Sequence, residues 1–234
     1  MSSTLGKVAI RRATKDYKDY LESDLKKSGI YCIQDSDNIL HYIAMIIGPE
    51  DTPYEGGFYL FDIYLSNNHP FEHPKVKFCT YGDNVRFNPN LYVEGKVCLS
   101  ILGTWNGPPW VSSMNISTLL LNIQSLLHDN PIINEPGFEN HKKTDLIAKN
   151  YRVFLSYFNI KVALFTMFKK TPKIFEIFRE DMKEYIIKNF DKYSKLCCKL
   201  EKYNGYKIKH STFCSSNFEF NHDDIKSFIN SLYS

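Results

Sequence analysis

A cysteine between two hydrophobic residues is the group in this sequence best suited to nucleophilic chemistry. Cys98 lies between Val97 and Leu99 in a segment otherwise rich in polar residues, and Gly95 and Gly103 stand on either side of it. Because glycine allows the backbone to turn sharply, we expect the thiol to be held on an ordered loop. A cysteine in such a position can attack an acyl group and form a covalent intermediate.

An asparagine upstream of the cysteine could assist that chemistry. Asn90 follows the Asn88-Pro89 turn and precedes Cys98 by eight residues, a spacing that lets the loop fold the amide back towards the sulfur. One well-placed amide donor that stabilises an oxyanion typically accelerates a reaction about 100- to 1000-fold. The alternative is that Asn90 braces the loop and positions Cys98 without acting on the oxyanion.

Composition limits the class of protein. The chain has 234 residues, of which 43% are hydrophobic and 24% charged, as in a globular domain with room for an extension. Lys and Arg (29) exceed Asp and Glu (26) by only three, which is too little to indicate a nucleic-acid partner. No segment approaches the roughly 18 apolar residues of a membrane span, and the first residues lack a signal-peptide core. We therefore expect a soluble, intracellular protein without a membrane partner.

The cysteines do not indicate a metal centre. They lack the paired spacing of zinc ligands, and the adjacent pair would point about 100° apart on a helix. We therefore expect no metal, and we expect most of the six to be buried apolar residues: Cys32, Cys79, Cys98, Cys197, Cys198 and Cys214.

Hydrophobic periodicity predicts helices at both ends of the chain and strands between them. Three- and four-residue steps predict a helix over 8–27 with a stripe of Ile10, Ala13, Tyr17, Tyr20, Leu21 and Leu25. Alternating apolar residues predict antiparallel strands over 39–47, 58–65 and 76–78. A further helix is predicted after Asn115, its N-cap, and helical stripes continue beyond residue 150. This order of elements indicates an α+β fold.

The stretch F-N-P-N-L-Y-V-E-G-K-V-C-L-S-I-L-G-T-W-N-G-P-P-W resembles the ubiquitin-conjugating enzymes, in which the asparagine of an H-P-N motif precedes the active-site cysteine by eight residues. Together with I-Q-S-L-L and N-E-P-G-F-E, it is most similar to the large branch that contains conjugating enzyme Z and the giant inhibitor-of-apoptosis conjugating enzyme. The resemblance covers about residues 8–150. It implies a catalytic core over 1–150, with an N-terminal helix, an antiparallel β-meander, an active-site loop and C-terminal helices. Residues 151–234 would form a helical extension packed on that core.

The resemblance also implies a reaction. Cys98 would accept ubiquitin or a ubiquitin-like modifier from an activating enzyme as a thioester, and pass it to a substrate lysine or a ligase. No cofactor is implied, since the activating enzyme consumes the ATP, and the location would be cytoplasmic or nuclear. Two other functions stay open: an inert ubiquitin-binding variant of the fold, and a cysteine hydrolase, which would need a histidine such as His128 beside the thiol.

The resemblance also implies which residues contact the activating enzyme and the ligase. Arg11, Arg12 and Lys15 on the first helix match its activating-enzyme surface, although a solvated basic face is the alternative. Phe71, on a proline-rich loop, and Trp110 match the surface that binds RING or HECT ligases. For Phe71 the alternative is an inward-facing core residue.

The resemblance further implies a surface for the donor modifier and a loop beside the cysteine. Leu121, Asn122 and Ser125 lie off the predicted buried stripe of the helix after Asn115, on the face that holds the donor modifier in the family. Asn134 and Glu135 correspond to a loop that gates the cysteine.

Three differences from the family pattern stand out. Asn88 replaces the histidine of H-P-N, a residue expected to organise the loop. Trp110 follows Cys98 by twelve positions, more than in small members but shared by the large branch, and Val111-Ser112-Ser113 replaces the usual S-P-A. The last difference bears on ligase preference more than on the chemistry.

Overall fold

The computed structural model describes residues 2–209 and 218–233, with side chains described from residue 6. Helix α1, a 3₁₀ turn and a four-stranded sheet come first, at Ser2–Leu21, Leu25–Ser28, Ile30–Gln34 (β1), His41–Ile47 (β2), Phe58–Tyr64 (β3) and Lys75–Phe78 (β4). The sheet has the order β1-β2-β3-β4, and the pairs β1–β2 and β3–β4 are antiparallel. The predicted meander is therefore confirmed, and β1 is a strand that sequence periodicity did not find.

Helix α1 has the predicted length of 20 residues but differs from its prediction in position and in buried face. It ends at Leu21 instead of Lys27, and Ser23 Oγ donates to the Tyr20 carbonyl just beyond its end. Ile10 and Leu21, which were placed in the buried stripe, are 44% and 62% exposed. Ala13 and Tyr20 of the predicted stripe are buried, and Ala9 and Asp16 complete the buried face. An aspartate on the core side is stable only because it has charged and hydrogen-bonding partners.

Helix α2, Ile116–Ser125, begins as predicted. The Asn115 side chain accepts a hydrogen bond from the Thr118 backbone N–H at 2.9 Å, which is an N-cap. Its buried side chains are Ile116, Leu119, Leu120 and Ile123.

The helical character of the last third of the chain is also as predicted. Helix α3, Leu146–Phe158, continues through a π-helical segment, Asn159–Thr166, into the short helix α4, Met167–Lys169. A 3₁₀ segment, Lys173–Phe178, leads to α5, Arg179–Lys188, and α6, Phe190–Glu201. A two-residue pairing that was not predicted, Lys207–Ile208 (β5) with Phe218–Glu219 (β6), precedes α7, His222–Ser231.

The chain forms two compact units, each assembled from separate stretches. One comprises Met1–Ile46, Tyr59–Cys79 and Asn90–Leu126, and the other Ile47–Phe58, Thr80–Pro89 and Leu127–Ser234. The expected division at residue 150 stays a prediction.

Within the second unit, the connection between β2 and β3 contacts the C-terminal helices closely. Asn159 Nδ2 donates to the Glu55 carbonyl at 2.9 Å, and Tyr193 Oη donates to the Gly56 carbonyl at the same distance. A Cβ atom at Gly57 would lie 2.0 Å from Asn159 Oδ1, so this position has room only for glycine. Residues of the predicted extension thus contact the connection between two core strands.

Four of the predicted buried cysteines, Cys32, Cys79, Cys98 and Cys197, are buried, whereas Cys198 is exposed and Cys214 lies outside the described residues. Within the described ranges, no three potential metal-ligating side chains cluster. Of the helices described, none is long and apolar enough to cross a membrane.

His41 joins two parts of the sheet through two carboxylates. Its Nδ1 lies 2.9 Å from Asp35 Oδ2, its Nε2 lies 2.7 Å from Asp62 Oδ1, and its ring stacks on Tyr64. Burial by itself lowers the pKa of His41, but the hydrogen bonds to Asp35 and Asp62 outweigh it and raise the pKa above the ordinary value. The contact with His41 is also the main reason why the pKa of Asp35 is lowered. The protonated imidazole is therefore the form that stabilises the fold.

We expect His41→Gln to destabilise the protein most at mildly acid pH. A raised folded-state pKa contributes stability that is present below the unfolded value of about 6.5 and is lost as pH rises through the folded value. The loss of unfolding free energy should be larger at pH 5.5 than at pH 8.5, by roughly 1 kcal/mol. Denaturant unfolding at both pH values measures it. His141→Gln is the matched control, because His141 has one carboxylate partner, Asp145, and both are more exposed. A His41→Gln effect independent of pH would contradict this assignment.

Candidate active site

Cys98 follows a short hairpin that fixes its backbone. Leu91 and Val97 form an isolated antiparallel bridge, and the Tyr92 N–H donates to the Lys96 carbonyl at 2.9 Å. Gly95 closes the turn with φ +98°, a left-handed value that favours glycine. The Cys98 N–H then donates to the Asn90 carbonyl at 2.8 Å. The eight-residue spacing therefore places Asn90 and Cys98 opposite each other across the hairpin.

The side chain of Asn90 completes this pairing. Its Nδ2 donates to the Cys98 carbonyl oxygen at 2.7 Å, and the residue is 5% exposed. The amide contacts the backbone of Cys98, which fits the bracing role that the sequence left open. Stabilisation of an oxyanion by Asn90 stays a prediction.

Thr104 supports both neighbours of the cysteine, a role that was not found from the sequence. Its Oγ1 donates to the Val97 carbonyl at 2.7 Å and accepts from the Leu99 N–H at 3.0 Å. A 3₁₀ turn, Ser100–Leu102, and Gly103 with φ +65° bring the chain back to this position. The G-T-W tripeptide was a signal for it, since a hydroxyl after a turn glycine is well placed to bond nearby backbone.

The predicted gate residue Asn134 lies in a chain of hydrogen bonds within the second unit. The Asn130 N–H donates to His128 Nδ1, which leaves Nε2 to donate to Asn134 Oδ1 at 3.3 Å. Asn134 Nδ2 in turn donates to Asn88 Oδ1 at 3.3 Å. With both ring nitrogens engaged in this way, His128 is not placed as the free base that a cysteine hydrolase needs.

The same chain explains how an asparagine can replace the histidine of H-P-N. Asn88 Nδ2 donates to Tyr54 Oη at 3.0 Å, and Tyr54 donates to the Phe87 carbonyl at 2.9 Å. Burial raises the pKa of Tyr54, so its hydroxyl keeps the proton that it donates. An amide accepts with its oxygen and donates with its nitrogen, and Asn88 uses both while fully buried.

Glu135, the second gate residue, is held by an ion pair. Its Oε2 lies 3.1 Å from Arg86 Nη2, with 19% and 22% of the two side chains exposed. Arg86 Nη2 also donates to the Pro89 carbonyl, and Tyr151 Oη donates to the Arg86 carbonyl at 3.1 Å. Glu135 is therefore a paired carboxylate in this structure.

Comparison with known proteins places these residues in a family. The family described as ubiquitin-conjugating enzyme matches residues 12–161, well over half of the chain. The chain belongs to the ubiquitin-conjugating enzyme family.

Individual relatives agree with this assignment. The chain is 41% identical to ubiquitin-conjugating enzyme E2 Z of Xenopus tropicalis over 170 residues, which are 72% of this chain and 54% of the relative. It is 42% identical to E2 Z of Homo sapiens over 72% of this chain and 48% of the relative. It is also 42% identical, over 50% of this chain and 2% of the relative, to the dual E2 ubiquitin-conjugating enzyme/E3 ubiquitin-protein ligase BIRC6 of Homo sapiens. The chain thus spans about half the length of the E2 Z relatives.

The three basic residues expected to contact the activating enzyme differ in their surroundings. Arg11 and Lys15 are exposed. Arg12 bonds Asp16 Oδ1 at 2.6 Å and donates to the carbonyls of Ser112 and Met114, both at 2.8 Å. Its guanidinium therefore fixes the segment before α2, and a role in binding an activating enzyme stays a prediction for all three.

Asp16 extends this network to the loop that carries Phe71. Asp16 Oδ2 lies 3.0 Å from His69 Nε2, and both residues are 1% exposed. Trp110 Nε1 donates to the Pro70 carbonyl at 2.8 Å. Sequence periodicity did not indicate this network, because Asp16 and His69 are 53 residues apart.

The remaining expected contact residues lie on the surface. Phe71 is 66% exposed, which removes the alternative that it is a core residue. On α2, Leu121 is 46% exposed, Ser125 is exposed, and Asn122 is half-buried with Nδ2 donating to the Thr118 carbonyl. Binding of a ligase or a donor modifier at these residues stays a prediction.

We expect Thr104→Val to loosen the loop that holds Cys98. The substitution keeps the shape but removes two hydrogen bonds, which should lower the free energy of unfolding by about 1 to 3 kcal/mol. Thr104→Ser keeps the hydroxyl and is the matched control. Denaturant unfolding of both variants measures the difference, and equal stabilities of the two would show that the hydroxyl does not support the loop.

Proposed function

We propose that this chain carries ubiquitin or a ubiquitin-like modifier as a thioester on Cys98 and transfers it to an amine or a ligase. The observation that carries the proposal is the reciprocal pairing of Asn90 and Cys98, in which each residue hydrogen-bonds the other's backbone. A nucleophile needs such a defined position to react efficiently. The names of the E2 Z relatives support the same reaction class.

Charging would proceed as an exchange between two thioesters. The Cys98 thiolate attacks the thioester carbonyl that joins the modifier to the activating enzyme, and the thiolate of the activating enzyme leaves. The thiolate is the attacking species, and exchange between two thioesters of similar energy needs no dedicated histidine base. This step consumes no cofactor on this chain, because the ATP is used by the activating enzyme.

Discharge would require more of the site. A lysine amine attacks the thioester carbonyl, a tetrahedral oxyanion forms, the amine loses a proton, and Cys98 leaves as a thiolate. An amide that moved from the Cys98 carbonyl to the oxyanion would stabilise this state, which is the role proposed for Asn90. Transfer to a cysteine of a HECT ligase would instead repeat the thioester exchange, and a RING ligase would bind the charged chain.

The decisive experiment is charging in the presence of an activating enzyme, ATP and a modifier. We expect the wild type to form a conjugate that reductant cleaves, and Cys98→Ser to accumulate a conjugate that resists reductant, because a serine ester is not a thioester. Cys198→Ser is the control, since Cys198 is the exposed cysteine among those described. It should charge like the wild type.

The outcomes of this experiment separate three functions. A chain that binds the modifier but forms no conjugate with any activating enzyme would be an inert binding variant. A chain that hydrolyses conjugates would be a hydrolase. A reductant-sensitive conjugate on Cys98→Ser would move the nucleophile to another cysteine.

We expect Asn90→Ala to slow discharge more than charging. Loss of an oxyanion donor should reduce the rate of transfer to free lysine by about 100-fold or more, whereas thioester exchange should keep most of its rate. Single-turnover discharge of the pre-formed conjugate isolates that step. If charging falls and the residual conjugate discharges at the normal rate, Asn90 acts only by bracing Cys98.

A further inference from the structure

A small basic cavity lies in the second unit, formed by residues that the proposed reaction does not use. It has a volume of about 210 Å³ and lies between α3, α6 with the turn that follows it, and the connection between β2 and β3. Four cationic side chains line it: Lys149, Arg152, Lys199 and Lys202. Asp51 and Glu55 also line it, so four positive and two negative charges leave a net charge of +2.

In the part of the chain that the structure describes, the four cations form no close ion pair, although the charges of Lys199 and Arg152 help to lower the pKa of Glu50 and of Asp129. Among the described residues, none of the four is within ion-pair distance of an Asp or Glu side chain. The Nε atom of Arg152 is buried and makes no hydrogen bond to any described residue. A buried guanidinium donor without a partner is costly, because it has lost water and gained nothing in exchange.

Aromatic rings hold two of the ammonium groups near the cavity. Lys149 Nζ lies 5.2 Å from the centroid of the Tyr206 ring, and Lys202 Nζ lies 5.1 Å from that of Tyr203. Such cation–π contacts restrain an ammonium group but leave its N–H donors free to bond an anion. The ammonium groups of Lys149 and Lys202 can therefore donate hydrogen bonds to an anion in the cavity.

The charge and the size of the cavity select the class of anion. A carboxylate carries one charge, whereas a phosphate monoester or a pyrophosphate carries two or more and offers several acceptor oxygens to several donors. Pockets for drug-sized ligands usually enclose about 300–1,000 Å³, so this cavity has room for one or two phosphate groups and not for a whole large ligand. We propose that the cavity binds the phosphate end of a phosphorylated molecule, with Arg152 and Lys199 as ligands.

Binding of such an anion would connect two separate stretches of the chain. Arg152 belongs to α3 and Lys199 to α6. A ligand that binds the folded state alone raises its stability. The proposal is independent of the chemistry at Cys98, and its test needs no activating enzyme.

The test is calorimetric titration with inorganic pyrophosphate and, in parallel, with inorganic phosphate, at constant ionic strength set with sodium chloride. We expect saturable binding of pyrophosphate, tighter than that of phosphate, and a rise in melting temperature with pyrophosphate concentration. Arg152→Gln and Lys199→Gln should each weaken binding by about tenfold or more, as for the loss of a hydrogen bond to a charged group. Lys183→Gln removes the same charge from an exposed α5 lysine that does not line the cavity, and should bind like the wild type.

Two results would overturn the proposal. One is the absence of saturable binding by the wild type, and the other is an unchanged affinity in Lys199→Gln, whose exposed side chain can be replaced without disturbing the core. If Arg152→Gln does not fold, Lys199→Gln alone decides.

A second arm identifies the source of the phosphate. Vesicles of phosphatidylcholine with phosphatidylinositol 4-phosphate are mixed with the protein and sedimented. Retention on these vesicles that pyrophosphate reverses assigns the site to a lipid headgroup. Pyrophosphate binding without vesicle retention assigns it to a free phosphorylated molecule.

Discussion

The pairing of Asn90 with Cys98 is the constraint on which the candidate site depends. A backbone hydrogen bond from Cys98 and a side-chain hydrogen bond from Asn90 close one small ring across the hairpin. Because both hydrogen bonds use backbone atoms of Cys98, they fix the position of its Cα. Thr104 adds support at Val97 and Leu99 and so restrains the residues on either side. Cys98 is therefore positioned by hydrogen bonds to its own backbone and to its two neighbours, which is the kind of order that a reactive group needs.

In the second unit, the side-chain amides of Asn134 and Asn88 link several residues through hydrogen bonds. The hydrogen-bond chain from His128 through Asn134 and Asn88 to Tyr54 runs in one direction, with each member accepting from one neighbour and donating to the next. Such a chain is rigid when every member makes its hydrogen bonds. Removal of one member would leave buried polar atoms without a hydrogen bond, which lowers the stability of the fold. Asn88 supplies one donor and one acceptor to this chain, the two hydrogen-bonding roles that a neutral histidine also has.

Hydrophobic periodicity predicted the elements whose buried face consists of apolar residues at regular spacing in their own sequence. The stripe of α2 and the alternation in β2 and β3 satisfy that condition, and the structure has both where they were expected. The buried face of α1 does not, because Asp16 enters the core only through Arg12 and His69, and His69 lies 53 residues away. Strand β1 likewise depends on pairing with β2, and Thr104 on atoms of Val97 and Leu99. Contacts of this kind arise from the folded chain and leave little trace in local sequence.

The ion pair of Glu135 with Arg86 bears on how effects at the gate should be interpreted. A half-buried pair is expensive to break, because the charge left behind is poorly solvated. Arg86 and Asn88, the partners of the two gate residues, stand four and two residues before Asn90 in the chain. A substitution at Asn134 or Glu135, the two predicted gate residues, therefore releases a contact on the short segment that leads to Asn90. A slower reaction in such a variant could therefore have two causes: displacement of that segment, or loss of an acid or amide that acts on the substrate. Only displacement of the segment would change the hydrogen bond between Asn90 and the Cys98 carbonyl.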